Sequence, residues 1–167
     1  MNAEIRFNKS MSFEQINKYR GFNQRLGKNK GTVTLVLGAG NVSSIPFLDV
    51  LFHLVAKRSS IILKLNPVND YLNPVFRKVF YEFIQKGYIS VVNGDTPVSQ
   101  YLCKHPSIDA IHLTGSNYTY ESIVYGKELN EKERKLSNLP KYNKKPIFSE
   151  LGNCLLYTSD AADEHSW

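Results

Sequence analysis

The sequence predicts an α/β fold: a parallel sheet with helices on both faces, and an incomplete one. Three observations carry this. From Thr32 onward, short apolar runs alternate with longer segments of helical period. The run Val33–Leu37 is nearly continuous in apolar character, as a strand covered on both faces must be. Each strand-like run ends in a turn, so the loops gather at one end of repeated strand–helix–strand units.

Taken in order, Met11–Leu26 spaces Phe13, Ile16, Tyr19 and Phe22 at near-helical intervals, predicting one or two short lead-in helices. Gly27-Lys-Asn-Lys-Gly31 breaks them. Val33–Leu37 is the first strand, ended by Gly38-Ala-Gly-Asn41. Ser43 or Ser44 is placed to cap the next helix, with Pro46 in its first turn. That helix, Ile45–Lys57, is apolar nearly all round and is expected to be well buried. Ile61–Leu65 is the second strand and Pro67-Val-Asn-Asp70 a turn with Asp70 as cap. Tyr71–Lys86 reads as one amphipathic helix with Val75, Val79, Phe80 and Phe83 on its inner face, ended by Gly87. Tyr88–Val92 is the third strand, followed by the turn Asn93-Gly94-Asp95 and a helix from Thr96 to about Lys104. Ala110–Leu113 is the fourth strand, Tyr118–Leu129 a helix, Asn130–Lys145 an exposed charged loop, and Pro146–Glu150 the fifth strand.

The 167 residues are one domain's worth of chain, with 42% apolar residues to build a core. The net charge is +6 and the pI about 9.2. Lys and Arg are scattered, apart from a cluster at Lys127–Lys145, so the excess reads as a solvated face and a charged loop. Nucleic-acid and membrane partners are not expected; a phosphate-rich cofactor would suit the charge. Cys103 and Cys154 have no paired Cys/His spacing, which argues against a disulfide scaffold and a structural zinc site. No metal is expected, and Cys103 reads as a small buried apolar residue. There is no apolar run of membrane length and no secretory leader pattern, so the expected compartment is the cytoplasm.

In parallel sheets, ligands bind beyond the C-terminal strand ends. Asn41, Lys64, Gly94, Thr114, Ser116 and Glu150 all fall there. Gly38-Ala-Gly40-Asn-Val-Ser43 imitates a G-x-G-x-x-G dinucleotide turn, but Ser43 replaces the third Gly, and Lys64 stands where the acidic residue belongs.

Two segments add a family signal: His105-Pro-Ser-Ile-Asp-Ala-Ile-His-Leu-Thr-Gly-Ser116 and Ser149-Glu-Leu-Gly-Asn153. Together they resemble the aldehyde dehydrogenase superfamily, over about Thr32 to Asn153. The resemblance implies a Rossmann-like fold that binds NAD or NADP and acts on an aldehyde or acyl thioester, in a parent protein that forms homo-oligomers. It implies that Thr114, Gly115 and Ser116 lie against the cofactor phosphate and nicotinamide, that Gly94 allows close cofactor approach, and that Lys64 bonds the adenosine ribose. Asn41 would stabilise the oxyanion of a thiohemiacetal, and Glu150 would be the general base, its pKa raised by a partly apolar site.

Several positions depart from the family pattern. Gly40 replaces an aromatic residue, which would open the pocket. Leu65-Asn66-Pro67 lacks the ribose-binding Glu, which predicts that NADP is tolerated. Asn153 replaces a Gly, and Asn130–Lys145 accounts for a long interval between Thr114 and Glu150. The family's nucleophilic Cys is absent: Cys154 is too close to Glu150, and Cys103 is on the wrong element. The expected organisation is a helical lead-in at 1–31, a dinucleotide-binding unit at 32–153, and a tail at 154–167 that resembles a translated sequencing adapter. Such a chain is expected not to turn over aldehydes itself. The alternatives are an acyl-CoA reductase-type relative and a non-catalytic nucleotide-binding pseudoenzyme.

Overall fold

A computed structural model describes residues 12–19, 31–136 and 139–152. The expected tail lies outside the described residues. The chain divides into two compact units, residues 1–30 and 31–167. In the first, helix α1 (Phe13–Tyr19) starts with a reciprocal cap: the Gln15 backbone N–H donates to Ser12 Oγ at 3.2 Å, and the Ser12 N–H to Gln15 Oε1 at 2.8 Å.

The second unit holds the predicted α/β architecture. Strands β1 (Val33–Leu37), β2 (Ser60–Lys64), β3 (Ile89–Val92), β4 (Ala110–Gly115) and β5 (Ile147–Leu151) form one all-parallel sheet of order β3-β2-β1-β4-β5. This is a Rossmann-like order, and it reverses at β1. Leu37 pairs with Lys64 on one side and Leu113 on the other; Thr114 pairs with Glu150. The continuous run of β1 is explained by its central place: residues 34–37 are at most 1% exposed.

One face of the sheet carries α2 (Ile45–Leu51, continued by a π-helical turn Phe52–Ala56), a 3₁₀ segment Pro67–Leu72, α3 (Asn73–Val79) and α4 (Tyr81–Gln85). Val36, Val50, Leu63, Phe76 and Phe80 are the centre of that core. The other face carries α5 (Thr96–Lys104) and α6 (Asn117–Tyr125), packed on Leu35, Leu37, Ile111 and Leu113.

Two helix readings change. The helix after β1 is not buried all round. Pro46, Asp49, Val50 and His53 face inward, while Leu48, Phe52 and Val55 are exposed, so its inner stripe carries the polar residues Asp49 and His53. The single amphipathic helix predicted over Tyr71–Lys86 is broken. Pro74 occupies the first turn of α3, and Phe80 leaves helical geometry at φ −95°, ψ 17° before α4 begins. Its inner side is the four-residue ladder Leu72, Phe76, Phe80, Ile84; Val75, Val79 and Phe83 face outward.

The expected caps also move. Asp70, expected to cap the helix over Tyr71–Lys86, lies inside the 3₁₀ segment, which Asn66 caps by accepting from the Val68 N–H at 3.0 Å; Leu72 stands at the N-cap of α3, and Asp95, not Thr96, occupies the N-cap of α5. The charged insertion after α6 is only partly loop. It contains α7 (Glu131–Arg134), opened by an Asn130–Glu133 capping box. Glu121 on α6 is buried and holds this insertion: it accepts from the Leu129 N–H at 2.9 Å and from the Arg134 guanidinium at 2.8 and 3.1 Å. Further on, Asn143 and Lys145 donate to the Cys103 carbonyl at the end of α5, where a cation also suits the helix dipole.

The inner ladder gives a paired test. Phe80→Ala, which removes a ring stacked on Phe47 at 5.1 Å, should cost about 3–5 kcal/mol in urea unfolding. Val79→Ser, one residue away on the outer face, should change stability by less than about 0.5 kcal/mol.

Candidate functional site

The C-terminal ends of β1, β2 and β4 meet at the strand-order reversal, and the loop Gly38-Ala-Gly-Asn41 sits there. Its anchor is the next loop along. The Gly38 N–H donates to the Lys64 carbonyl at 2.9 Å. The Asn69 side-chain amide donates to the carbonyls of Ala39 and Gly40, both at 3.0 Å. A Cβ at Gly40 would lie 2.5 Å from Asn66 Nδ2. The space that an aromatic side chain would take is thus filled by Asn66, and the expectation that Gly40 opens a pocket is corrected. Asn41 follows directly and is exposed.

Lys64 is fully buried rather than reaching to water from the strand end. Strand alternation puts it on the face of Ile62, toward α5. Burial holds its ammonium below the ordinary lysine range, and the carboxylates of Asp70 and Asp95 oppose that shift. Asp70 comes from the 3₁₀ segment, a few residues past the end of β2. Gly94 has φ +147°, and a Cβ there would meet Val98 at 2.6 Å, so local geometry requires this glycine without any ligand.

Thr114-Gly115-Ser116 leaves β4 and starts α6. Ser116 caps the helix, its Oγ accepting from the Thr119 N–H at 3.2 Å. Glu150 is the cross-strand partner of Thr114 on the outer strand β5 and is exposed. None of the described residues encloses it in an apolar pocket.

Beneath Thr114 lies a cluster that the sequence reading passed over. His53 and His112 are buried, with His53 Nε2 2.8 Å from His112 Nδ1. His112 Nε2 is 3.3 Å from Asp49 Oδ1 and 3.3 Å from Thr114 Oγ1. Thr114 Oγ1 donates to Asp49 Oδ2 at 3.3 Å. Phe148 stacks edge-on to His53 at 5.1 Å, which places it and, by alternation, Glu150 on the α2 side. A usable signal was present: Asp49 and His53 stand four apart in an apolar helix, and His112 interrupts an apolar strand. The three side chains join through one another. Among the described residues no three His, Cys, Asp or Glu groups converge to hold a metal ion.

On the opposite face, a cleft of about 240 Å³ runs between α5 and α6, lined by Leu37, Ser99, Cys103, Tyr118, Ile123 and Tyr142 among others. Burial pushes the Cys103 thiol up to about 11, so it is protonated and unreactive at neutral pH. The chain matches no family model, no curated protein and no solved structure.

Two outcomes follow for the wild-type chain. Gly40→Ala should cost about 1–3 kcal/mol by overpacking against Asn66, and part of that loss should return in the Gly40→Ala/Asn66→Ser double variant. Burial first, and then His112, lower the His53 pKa to about 4 from 6.5. The folded state therefore binds fewer protons than the unfolded state between these values. Stability is full above pH 6.5 and falls by roughly 3 kcal/mol as pH drops toward 4. Urea unfolding across this range should show the loss, and His53→Phe should flatten it.

Proposed function

We propose that this chain is the dinucleotide-binding part of an NAD(P)-dependent oxidoreductase of aldehyde dehydrogenase type. The observation that carries the reading is the division of the candidate residues across one sheet edge. Lys64 faces the α5 side, where the cleft runs. Thr114 and Glu150 lie on the α2 side, and the Gly38–Asn41 loop stands at the reversal between them. A dinucleotide bound at this edge would have its adenosine held on the Lys64 side and its nicotinamide by Thr114 and Glu150. The groups at this edge suit such a ligand: backbone N–H groups around a glycine loop and two tyrosine rings in the cleft, with the buried Lys64 ammonium beneath the edge.

In this reading the bound dinucleotide supplies the hydride acceptor. Lys64, with Asp70 beside it, orients the ribose. The Asn41 amide donates to the oxygen that gains charge when a thiol adds to an aldehyde carbonyl. Loss of a hydride to the dinucleotide would convert that thiohemiacetal into a thioester, and Glu150 would take a proton from the water that attacks it. The attacking thiol is not Cys103, whose sulfur is buried and protonated; it comes from sequence outside this chain. That inert thiol also favours a second reading, in which the chain binds the dinucleotide without catalysis. An acyl-CoA reductase relative would share the same cofactor edge.

Calorimetric titration of the purified chain with NAD and NADP tests the shared element. Binding of NAD is expected, and Lys64→Met should weaken it by about tenfold. Asp70→Ser should raise affinity for NADP relative to NAD by about tenfold, through removal of a charge that repels a 2′-phosphate. Absence of binding to either dinucleotide would sink both readings, and cofactor-dependent aldehyde turnover by this chain alone would overturn the assignment of the thiol to an outside segment.

A further inference from the structure

We propose that Asp49 and His112 are positioning residues that turn the Thr114 hydroxyl proton inward, so that Thr114 offers only an acceptor at the sheet edge and selects ligand groups that donate. The donating group in reach of the chemistry above is the primary amide of a nicotinamide ring. The inference rests on the dinucleotide reading for its ligand, but its protein half stands on this chain alone.

The direction of the hydrogen bonds follows from what each atom can do. An ionised carboxylate only accepts. Asp49 Oδ1 therefore accepts a hydrogen bond from His112 Nε2–H, and Asp49 Oδ2 accepts one from the Thr114 hydroxyl. With its proton on Nε2, neutral His112 presents Nδ1 as an acceptor, and that atom faces His53 Nε2 at 2.8 Å. His53 Nε2 must then be the donor. Its remaining nitrogen, Nδ1, is buried with no hydrogen-bond partner among the described residues, which is tolerable for an unprotonated ring nitrogen and costly for a protonated one. Every bond in the cluster thus runs toward Asp49.

Thr114 sits at the exposed end of this chain of bonds. It is only part-buried, whereas Asp49, His53 and His112 are buried. Its one proton is committed to Asp49, and one of its lone pairs faces His112 Nε2 at 3.3 Å. What remains toward the edge is a lone pair beside a buried negative charge. A carboxamide N–H satisfies it; a carboxylate in the same place would meet only acceptors and a like charge.

Two measurements on the full chain test this. Long-range ¹H–¹⁵N spectra of the imidazoles report the tautomers directly. Both His53 and His112 should carry a proton on Nε2, and the Thr114 hydroxyl proton should exchange slowly and show a nuclear Overhauser contact to the His112 ring; a hydroxyl proton that exchanges at the solvent rate would overturn the inward orientation. Titration then compares NAD with nicotinic acid adenine dinucleotide, in which a carboxylate replaces the amide. NAD should bind at least about tenfold more tightly. Thr114→Ser, which keeps the hydroxyl, should retain that preference, and Thr114→Val should erase it. Asp49→Asn should shrink it, because an amide can donate to Thr114 and release its proton outward; His112→Gln gives a second perturbation of the same cluster if Asp49→Asn fails to fold. Equal affinity for the two dinucleotides in the wild type would overturn the selection while leaving the dinucleotide reading intact. A wild type that binds neither would overturn that reading and the selection with it, and exchange of the Thr114 hydroxyl proton would then decide the inward proton by itself.

Discussion

The burial of β1 on both faces is the constraint from which the rest of this structure hangs. A strand with helices above and below has no water on either side, so its side chains must be apolar or fully bonded. Leu35, Val36 and Leu37 meet that demand, and Thr34 is its one polar exception. Because β1 pairs in parallel with both β2 and β4, its end stands level with Lys64 and with Leu113. That alignment brings three loops to one place. The Asn66–Asn69 segment can reach the carbonyls of the glycine loop only because the registers of β1 and β2 agree to the residue. The Thr-Gly-Ser turn reaches the same edge by way of the β1–β4 register.

Polar groups buried near this edge are handled differently on the two faces. On the α2 side, Asp49 has both oxygens occupied by partners, and two buried imidazoles extend the bonding inward. Such a cluster is tolerable in a low-dielectric interior because the carboxylate has donors arranged around it. On the α5 side, Lys64 is buried near carboxylates that come from loops, Asp70 and Asp95. Carboxylates thus stand on both sides of a single strand end, and on one of those sides a buried lysine stands among them.

Much of the fold was legible in the sequence, and the misreadings have specific causes. The alternation of apolar runs and turns located all five strands to within a residue or two, because a parallel sheet needs runs that turns then interrupt. Helix faces were less legible. In Tyr71–Lys86 two stripes, Val75-Val79-Phe83 and Leu72-Phe76-Phe80-Ile84, are equally apolar, and hydrophobicity alone gives no reason to choose the second. Pro74 signals where α3 starts, and no proline or glycine marks the break at Phe80. At the candidate site, the residues at strand ends were found through loop position, a property of sequence. The Asp49–His53–His112 cluster was missed because its members are distant along the chain and each looks like an isolated polar residue. Asp70 was taken for a cap, since its nearness to Lys64 depends on how the 3₁₀ segment folds back.

The insertion between α6 and β5 has an implication for how this protein tolerates change. Loops of mixed charge are usually free to vary in length. This one is fastened at both ends: Glu121 holds its start through Leu129 and Arg134, and Asn143 and Lys145 hold its finish at the end of α5. Removal of the segment would leave a buried carboxylate without its guanidinium and a helix end without its cation. The insertion is therefore a strap that the domain has come to depend on. Natural shortening at this point would require compensating replacement of Glu121 by an apolar residue, so the length of the loop and the identity of a residue in the preceding helix should change together.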